Sequence, residues 1–267
     1  MATEAVAGTL QASIRAWWHL VWLSCRRQFW TLQTLIAVLL IVLLAAFVAA
    51  QSVRGYARWG IIGWSFLGFT DFVVTGIYLS FLLPILCLCF GTQALGGDWE
   101  ERSLVWLLTR PLPRPLIYSA KFLAAVPWTF GLTLGGLLLL GVAGGPNGVA
   151  AVWEFWPAVA LGTLAYLSLF VLIGAWFRRS TIIAVAYSFV LEAVVGNLPG
   201  MVKRASIAFY ARCMVFASDI PGVKPDESSM FMEVSGPTAV RVLVGVAAAL
   251  FVIGMFVFAR REYNDLT

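Results

Sequence analysis

Residues 31–50 read TLQTLIAVLLIVLLAAFVAA and contain no charged side chain. A transmembrane helix needs about 20 consecutive, mostly apolar residues to cross the hydrocarbon core of a bilayer. Comparable runs return along the chain, and prolines inside them, such as Pro84 and Pro127, are tolerated in membrane helices as kinks. The sequence therefore predicts an all-α integral membrane protein, one transmembrane domain over residues 1–267 with six spans. The predicted spans are about 31–50, 72–95, 117–140, 155–177, 181–199 and 241–259.

The composition of the chain excludes the soluble classes of protein. Of the 267 residues, 61% are hydrophobic and 12% are charged, whereas soluble domains average about 45–50% apolar and about 25% charged residues. Disorder requires low hydrophobicity and high net charge. The chain has 18 Lys and Arg against 13 Asp and Glu, a net charge of +5. In a membrane protein this balance indicates basic cytosolic loops rather than a nucleic-acid surface, so we expect no nucleic-acid partner.

The segment before the first span predicts an amphipathic helix. Residues 10–30 read LQASIRAWWHLVWLSCRRQFW, in which apolar residues return at the spacing of one helical face. A basic helix rich in Trp lies in the membrane interface, with its apolar face at the acyl boundary. A secretory signal is the alternative, but the apolar run that follows is longer than the core of a signal peptide. The predicted apolar face consists of Leu10, Ile14, Trp17, Trp18, Val21, Trp22, Cys25 and Phe29.

Lys and Arg are unevenly distributed between the predicted loops. With a cytosolic N-terminus, the inside segments hold eleven of them, and the two short outside loops hold only Arg54 and Arg58. Cytosolic loops carry the excess of Lys and Arg, so both termini and residues 96–115 are predicted to be cytosolic. The predicted outside segment 200–237 is also basic. Its amphipathic pattern predicts a helix that is interfacial or partly re-entrant.

The predicted spans lack the polar groups of an intramembrane enzyme. Intramembrane serine proteases need Ser with His, and metalloproteases need His and carboxylate ligands. The single histidine, His19, lies outside the spans, and Glu192 is the only acid well inside one. The sequence contains no G-x-x-x-x-G-K-[ST] phosphate-binding loop, and its four cysteines are too scattered for a zinc site or a disulfide framework. We therefore expect a non-catalytic chain that binds no metal and no cofactor.

The segment after the second span predicts a short cytosolic helix. Residues 96–114 read GGDWEERSLVWLLTRPLPR. Asp98 is predicted to cap this helix with Glu101 three residues on, as in a capping box, and acids in the first turn suit the helix dipole. Arg110-Pro111 ends the helix. The apolar residues offered to a partner or to the membrane are Trp99, Leu104, Leu107 and Leu108.

This segment resembles the cytosolic signature of ABC type-2 permeases, in which an acidic group, a Gly-Thr-Leu-like step and a Leu-Leu pair precede a Pro-Arg element and a Lys. The matching positions are Glu100-Glu101, Ser103-Leu104, Leu107-Leu108, Pro111, Pro113-Arg114 and Lys121. Arg102-Ser103 stands where the family usually has Gly-Thr. The predicted layout of the whole chain is also similar to that of the small permeases that pair with a separate ATPase.

The resemblance implies the permease subunit of an ATP-driven ABC exporter in the plasma membrane, the bacterial inner membrane. Two permease copies, expected to form a homodimer, would bind two copies of an ATP-binding-cassette ATPase that holds ATP and Mg. A coupling helix would dock in the ATPase, with Glu100 and Glu101 facing basic groups. The expected coupling residues are Asp98, Trp99, Glu100, Glu101, Arg102, Ser103, Leu104 and Leu107. The expected second contact consists of Trp17, Trp18, Arg26 and Arg27.

Glu192 lies within the predicted fifth span. A charge at the bilayer centre costs about 2.5–3.5 kcal/mol, so Glu192 is predicted to face a cavity, to pair across the dimer or to reach the water outside. Tyr78, Trp128 and Tyr187 are candidates to line such a cavity, although interfacial anchoring explains aromatic residues equally well. The alternative function is a mechanotransmission or assembly module, in which ATPase motion reaches an extracytoplasmic partner protein and no substrate crosses.

Overall fold

The computed structural model describes residues 2–29, 31–59, 64–100, 113–190, 201–218 and 234–261. Within these ranges the chain is helical and contains no strand, so the all-α prediction is confirmed. A 3-10 turn covers Met201–Ala205. The helices are α1 Ala2–Phe29, α2 Leu32–Trp59, α3 Phe66–Gly97, α4 Arg114–Gly144, α5 Pro146–Trp176, α6 Ser180–Tyr187, α7 Ile207–Phe216 and α8 Gly236–Arg260.

Five helices are long and apolar enough to cross a bilayer. They are α3, α4, α5, α8 and the Leu32–Arg54 part of α2, and they correspond to five of the six predicted spans. Of the predicted span 181–199, the structure describes only the beginning, where a shorter apolar helix covers Ser180–Val190. Residues 191–200, with Glu192 among them, lie outside the described residues. The number of six spans therefore stays a prediction.

The helix α5 forms the centre of the bundle. Its most apolar stretch is 78% buried, whereas those of α2 and α8 are 28% and 22% buried. Small residues let α3 approach α5 closely: a Cβ atom added at Gly174 would lie 3.0 Å from the carbonyl oxygen of Thr92. Because α2 and α8 lie at the periphery, most of their apolar surface faces outward, as is expected of helices surrounded by lipid.

At one end of the bundle, Trp64 forms hydrogen bonds with residues of three other segments. Its backbone N–H donates to the carbonyl oxygen of Gly144 at 3.2 Å, and its own carbonyl accepts from Asn147 Nδ2 at 2.9 Å. Its indole Nε1 donates to the carbonyl oxygen of Val48 at 3.2 Å. The α2–α3 connection and the α4–α5 turn therefore meet at the same end, as the prediction that both are outside loops requires. The turn passes through Gly145 with φ 87°, which favours glycine.

The first half of α3 departs from α-helical geometry. Residues Phe69–Leu82 form a π-helix, and Leu83–Thr92 return to an α-helix. π-Helices are rare and usually occupy a single turn, often at functional sites. The Ser80 hydroxyl donates to the Thr75 carbonyl oxygen at 2.6 Å. This hydrogen bond spans five residues, the same separation as the backbone hydrogen bonds of a π-helix.

A second π-helical turn, Gln93–Gly97, carries α3 into the helical residues Asp98–Glu100 without a break. Asp98 has helical backbone angles, φ −65° and ψ −28°. The prediction that Asp98 caps a new helix is therefore wrong. The prediction fails because Gly96 does not end α3. A Cβ atom at this position would overlap the Ser180 hydroxyl, so Gly96 allows α3 to pack closely on α6.

The helix α7 packs beside the middle of the bundle. Arg212 Nη2 donates to Ser80 Oγ at 2.5 Å, and Ala211 lies close to Gly162, which is half-way along α5. This helix therefore lies beside the middles of α3 and α5, and the choice between an interfacial and a re-entrant helix stays a prediction. The helical prediction for 200–237 is confirmed over 201–218, and residues 219–233 lie outside the described residues.

Candidate functional site

A buried acid lies at the end of the bundle opposite Trp64, where three helices meet. Asp98, at the end of α3, is 5% exposed. Arg27 of α1 places Nη1 2.9 Å from Asp98 Oδ1, and Lys121 of α4 places Nζ 2.5 Å from Asp98 Oδ2. The Lys121 side chain is 9% exposed and that of Arg27 is 48% exposed. One carboxylate is thus shared by a buried ammonium and a half-exposed guanidinium.

The surroundings of Asp98 make these ion pairs necessary. Moving a charge out of water costs several kcal/mol, and only a well-placed partner offsets that cost. A cavity of about 70 Å³ lies beside the cluster, and Ser24, Gln28, Thr31 and Gln93 contribute polar side chains to its lining. The carboxylate therefore sits in a polar pocket although solvent scarcely reaches it.

Trp99 continues the cluster toward the last span. It is 7% exposed, and the guanidinium carbon of Arg261 lies 4.6 Å from its ring centroid, a cation–π distance. Arg261 Nη1 donates to the Ala175 carbonyl oxygen at 3.5 Å, and the Arg261 carbonyl accepts from Arg114 Nη1 at 2.8 Å. The end of α8 therefore contacts the ends of α3 and α5 and the start of α4. We call Arg27, Asp98, Trp99, Lys121 and Arg261 the charged junction.

The helix α1 presents different faces to the bundle and to its surroundings. The indole Nε1 of Trp17 donates to the Leu116 carbonyl oxygen at 3.0 Å, and Leu20 is buried in the core beneath it. Trp18 and Trp22 are 60% and 66% exposed. The predicted apolar face is therefore divided between the bundle, which Trp17 contacts, and the exposed side of the helix, where Trp18 and Trp22 lie. Neighbouring residues point about 100° apart, and the start of α4 takes the Trp17 side.

The charged junction offers a mechanical connection. Asp98–Glu100 lead directly into the segment predicted to couple to an ATPase. Asp98, Trp99 and Glu100 continue the helix of α3 without a break, so a displacement of Glu100 acts on Asp98 and Trp99. Asp98 is held by α1 and α4, and Trp99 is covered by α8. The junction can therefore distribute one displacement among four helices.

The structure places the predicted coupling residues in two groups. Asp98 and Trp99 are buried inside the permease chain, so the expectation that Trp99 anchors a partner does not match its burial beneath Arg261. The Glu100 backbone is helical. The remaining coupling residues, Glu101, Arg102, Ser103, Leu104 and Leu107, lie outside the described residues.

The second predicted contact is divided between inside and outside. Trp17 and Arg27 are engaged within the chain, whereas Trp18 and Arg26 are exposed. The sequence analysis therefore did not predict that Arg27 pairs with Asp98. It identified Lys121 as a family-motif position but not as the second partner of Asp98. The available signal was an acid at the end of one apolar run and a lysine near the start of the next, because consecutive spans place such residues at the same membrane face.

The candidate cavity residues are not gathered around a described pocket. Tyr78 is fully buried and donates to the carbonyl oxygen of Thr133. Tyr187 packs edge-on against Phe170, with ring centroids 6.2 Å apart. Trp128 is half-buried against the core. A cavity at Glu192 stays a prediction, because Glu192 lies outside the described residues.

Comparisons with known proteins place this geometry in context. A family model described as ABC-2 family transporter protein matches residues 23–195. The match covers Arg27, Asp98, Trp99 and Lys121 and ends before Arg261. An uncharacterized membrane protein of Bacillus subtilis (strain 168), YdbK, is 22% identical over 214 residues, which cover 74% of this chain and 83% of that protein. No solved structure matches the chain significantly.

Proposed function

Because the chain belongs to the ABC-2 family of transporter proteins, we propose that this multi-pass membrane protein is the permease subunit of an ATP-driven exporter. Permeases of this family are membrane subunits, and ATP hydrolysis takes place in a separate ATP-binding subunit. The observation that carries the proposal is the charged junction. It joins the end of α3, where the predicted coupling segment begins, to three other helices.

The proposed mechanism passes through this junction. Two permease copies form a homodimer above two ATPase subunits, and ATP and Mg are bound by the ATPase. ATPase closure displaces residues 100–109, and Asp98 and Trp99 carry the displacement to α1, α4 and α8. The permease then changes between inward-open and outward-open states. This requires the closed ATPase to bind one state more tightly than the other, since a ligand shifts an equilibrium only by its differential affinity.

The proposed orientation places the charged junction in the cytosol. Exposed Arg26, Arg178, Arg179 and Arg260 lie at that end of the bundle, and cytosolic loops carry the excess of Lys and Arg. Both termini are then cytosolic, and the membrane is the bacterial inner membrane. The Trp64 end with the α4–α5 turn faces outward.

Cysteine labelling in intact cells tests this orientation. In a chain whose four cysteines are replaced, Asn147→Cys should react with a membrane-impermeant maleimide, because Asn147 is exposed at the Trp64 end. Leu108→Cys should react only after the cells are opened. The reverse pattern would overturn the orientation and the cytosolic position of the coupling segment.

Assembly with an ATPase tests the function itself. Co-expressed with its ATP-binding partner subunit, the chain should purify as a complex whose ATP hydrolysis exceeds that of the ATPase alone. The permease alone should hydrolyse no ATP, because its sequence has no phosphate-binding loop. A complex whose ATPase has lost its phosphate-loop lysine provides the control. ATP hydrolysis by the isolated permease would contradict the proposal.

The alternative of mechanotransmission has a physical route in the fold. The Arg212–Ser80 hydrogen bond connects α7 to the middle of α3, so movement of α3 reaches the segment 201–218. In this alternative an extracytoplasmic protein takes up that movement and no substrate crosses. A secreted protein that co-purifies with the complex favours it, whereas ATP-dependent loss of a small molecule from the cell favours export.

A further inference from the structure

A stripe of basic and aromatic residues runs along the outer face of α1. Trp18 and His19 follow Arg15 by three and four residues, Trp22 follows them by four and three, and Arg26 follows Trp22 by four, which places all five on one face of the helix. All five are exposed in the structure. The opposite face of α1 is already occupied, because Leu20 and Ser24 are buried against the bundle. We call these five residues the outer stripe.

The charge of this part of α1 has one sign. Residues 15–28 contain three arginines and no acid. Arg27 pairs with Asp98, whereas Arg15 and Arg26 make no ion pair within the described part of the chain. Two positive charges therefore remain available on the outer stripe, with two tryptophans between them.

The outer stripe is continuous with the lipid-facing surface of the first span. Leu23, beside the stripe, is 59% exposed, and Leu32 and Leu35 at the start of α2 are 74% and 65% exposed. Only two residues, 30 and 31, separate α1 from α2. A span surrounded by acyl chains therefore begins next to the stripe, which places the stripe at the membrane surface.

We propose that the outer stripe binds anionic phospholipid headgroups of the leaflet on the charged-junction side. Trp prefers the headgroup level of a membrane, and basic amphipathic helices are attracted by anionic lipids. Each Lys or Arg near such a surface contributes attraction equivalent to about fivefold in binding. Binding of lipid in this way is independent of what the chain transports.

The bound lipid also positions the charged junction. Arg26 contacts the headgroups and the next residue, Arg27, holds Asp98, so both belong to one turn of α1. Lipid that fixes this turn fixes the ion pair on the coupling side of α3. The effect of lipid on ATP turnover rests on the proposed function, whereas the binding step does not.

Lipid selectivity of the full chain tests the binding step. The chain is placed in nanodiscs of phosphatidylcholine with about 30% phosphatidylglycerol, and its association with spin-labelled versions of the two lipids is compared. The wild-type chain should prefer phosphatidylglycerol, and Arg15→Gln/Arg26→Gln should reduce that preference about fivefold or more. Arg54→Gln/Arg241→Gln removes two exposed arginines from the other end of the bundle and should change the preference less than twofold.

The ATPase provides the competing outcome. If the Arg15→Gln/Arg26→Gln chain keeps the wild-type lipid preference but no longer co-purifies with the ATPase, the outer stripe is a protein contact and the proposal is overturned. An equal loss in the two double variants would show general attraction and would also overturn it. A chain that prefers phosphatidylglycerol through this stripe but binds no ATPase would support the lipid site while contradicting the proposed function.

Discussion

Replacing Asp98 with Asn should lower the free energy of unfolding by about 3–5 kcal/mol, because removal of one partner of a buried ion pair leaves the other charge uncompensated. The stranded charge is the Lys121 ammonium, which is 9% exposed. Asn has nearly the shape of Asp, so no cavity adds to the effect. Arg27 is half-exposed and can turn toward solvent. The thermal midpoint of the purified chain in detergent measures the loss.

A second substitution tests whether the unpaired Lys121 ammonium causes the loss of stability in Asp98→Asn. Asp98→Asn/Lys121→Met removes the stranded ammonium, and replacement of a buried ion pair by uncharged groups of similar volume is often neutral. The double variant should therefore recover most of the thermal stability. Asp71→Asn, at an exposed acid near the other end of α3, should leave the midpoint unchanged. A double variant as unstable as the single one would show that stranded charge is not the cause.

Turnover then distinguishes folding from transmission. If the charged junction carries ATPase motion, the stable double variant should bind the ATPase and still couple poorly, because α1 and α4 no longer hold the end of α3. Wild-type turnover in a stable double variant would assign the ion pairs to folding alone.

Reversing Glu100 and Glu101 together to Lys should abolish assembly with the ATPase while the membrane fold is retained. Helix-terminal charges that face water contribute only about 0.3–1 kcal/mol, whereas like charges brought together at an interface cost several kcal/mol. Residue 100 directly follows the buried Asp98-Trp99 pair, so the reversal alters the approach to the junction without removing its ion pairs. Co-purification of the ATPase and its stimulated hydrolysis are the measurements.

Two other exposed acids provide the matched control. Asp71→Lys/Glu154→Lys makes the same change in charge at positions away from the charged junction and should assemble normally. If Glu100→Lys/Glu101→Lys also assembles and turns over as the wild type does, the two acids belong to a solvated face. The ATPase contact would then have to lie elsewhere, with the Trp17–Arg27 part of α1 as the next candidate.

The fold was predictable because hydropathy depends on local composition. An uncharged run such as 31–50 has one stable arrangement in lipid, a helix that satisfies its own backbone. The boundaries were less predictable. Gly96-Gly97 looks like the end of a helix, and only the position of Ser180 in the fold shows that Gly96 allows close packing.

The candidate site was predictable as a segment but not as a set of contacts. Position in the sequence identified Asp98 and Lys121, yet the ion pair depends on the side-by-side arrangement of α3 and α4. The direction of Trp17 and Trp18 shows the same limit. Both belong to one apolar pattern in the sequence. Only the packing of α1 on α4 determines that Trp17 contacts the bundle and that Trp18 is exposed.

The position of Arg261 has a consequence for biogenesis. Trp99 is synthesised early, but its cation–π partner Arg261 comes 162 positions later, directly after α8. During translation the aromatic ring therefore lacks its cation–π contact until α8 and Arg261 have been synthesised. A permease truncated before residue 261 therefore lacks this contact, which lies directly beside the segment where an ATPase is proposed to dock.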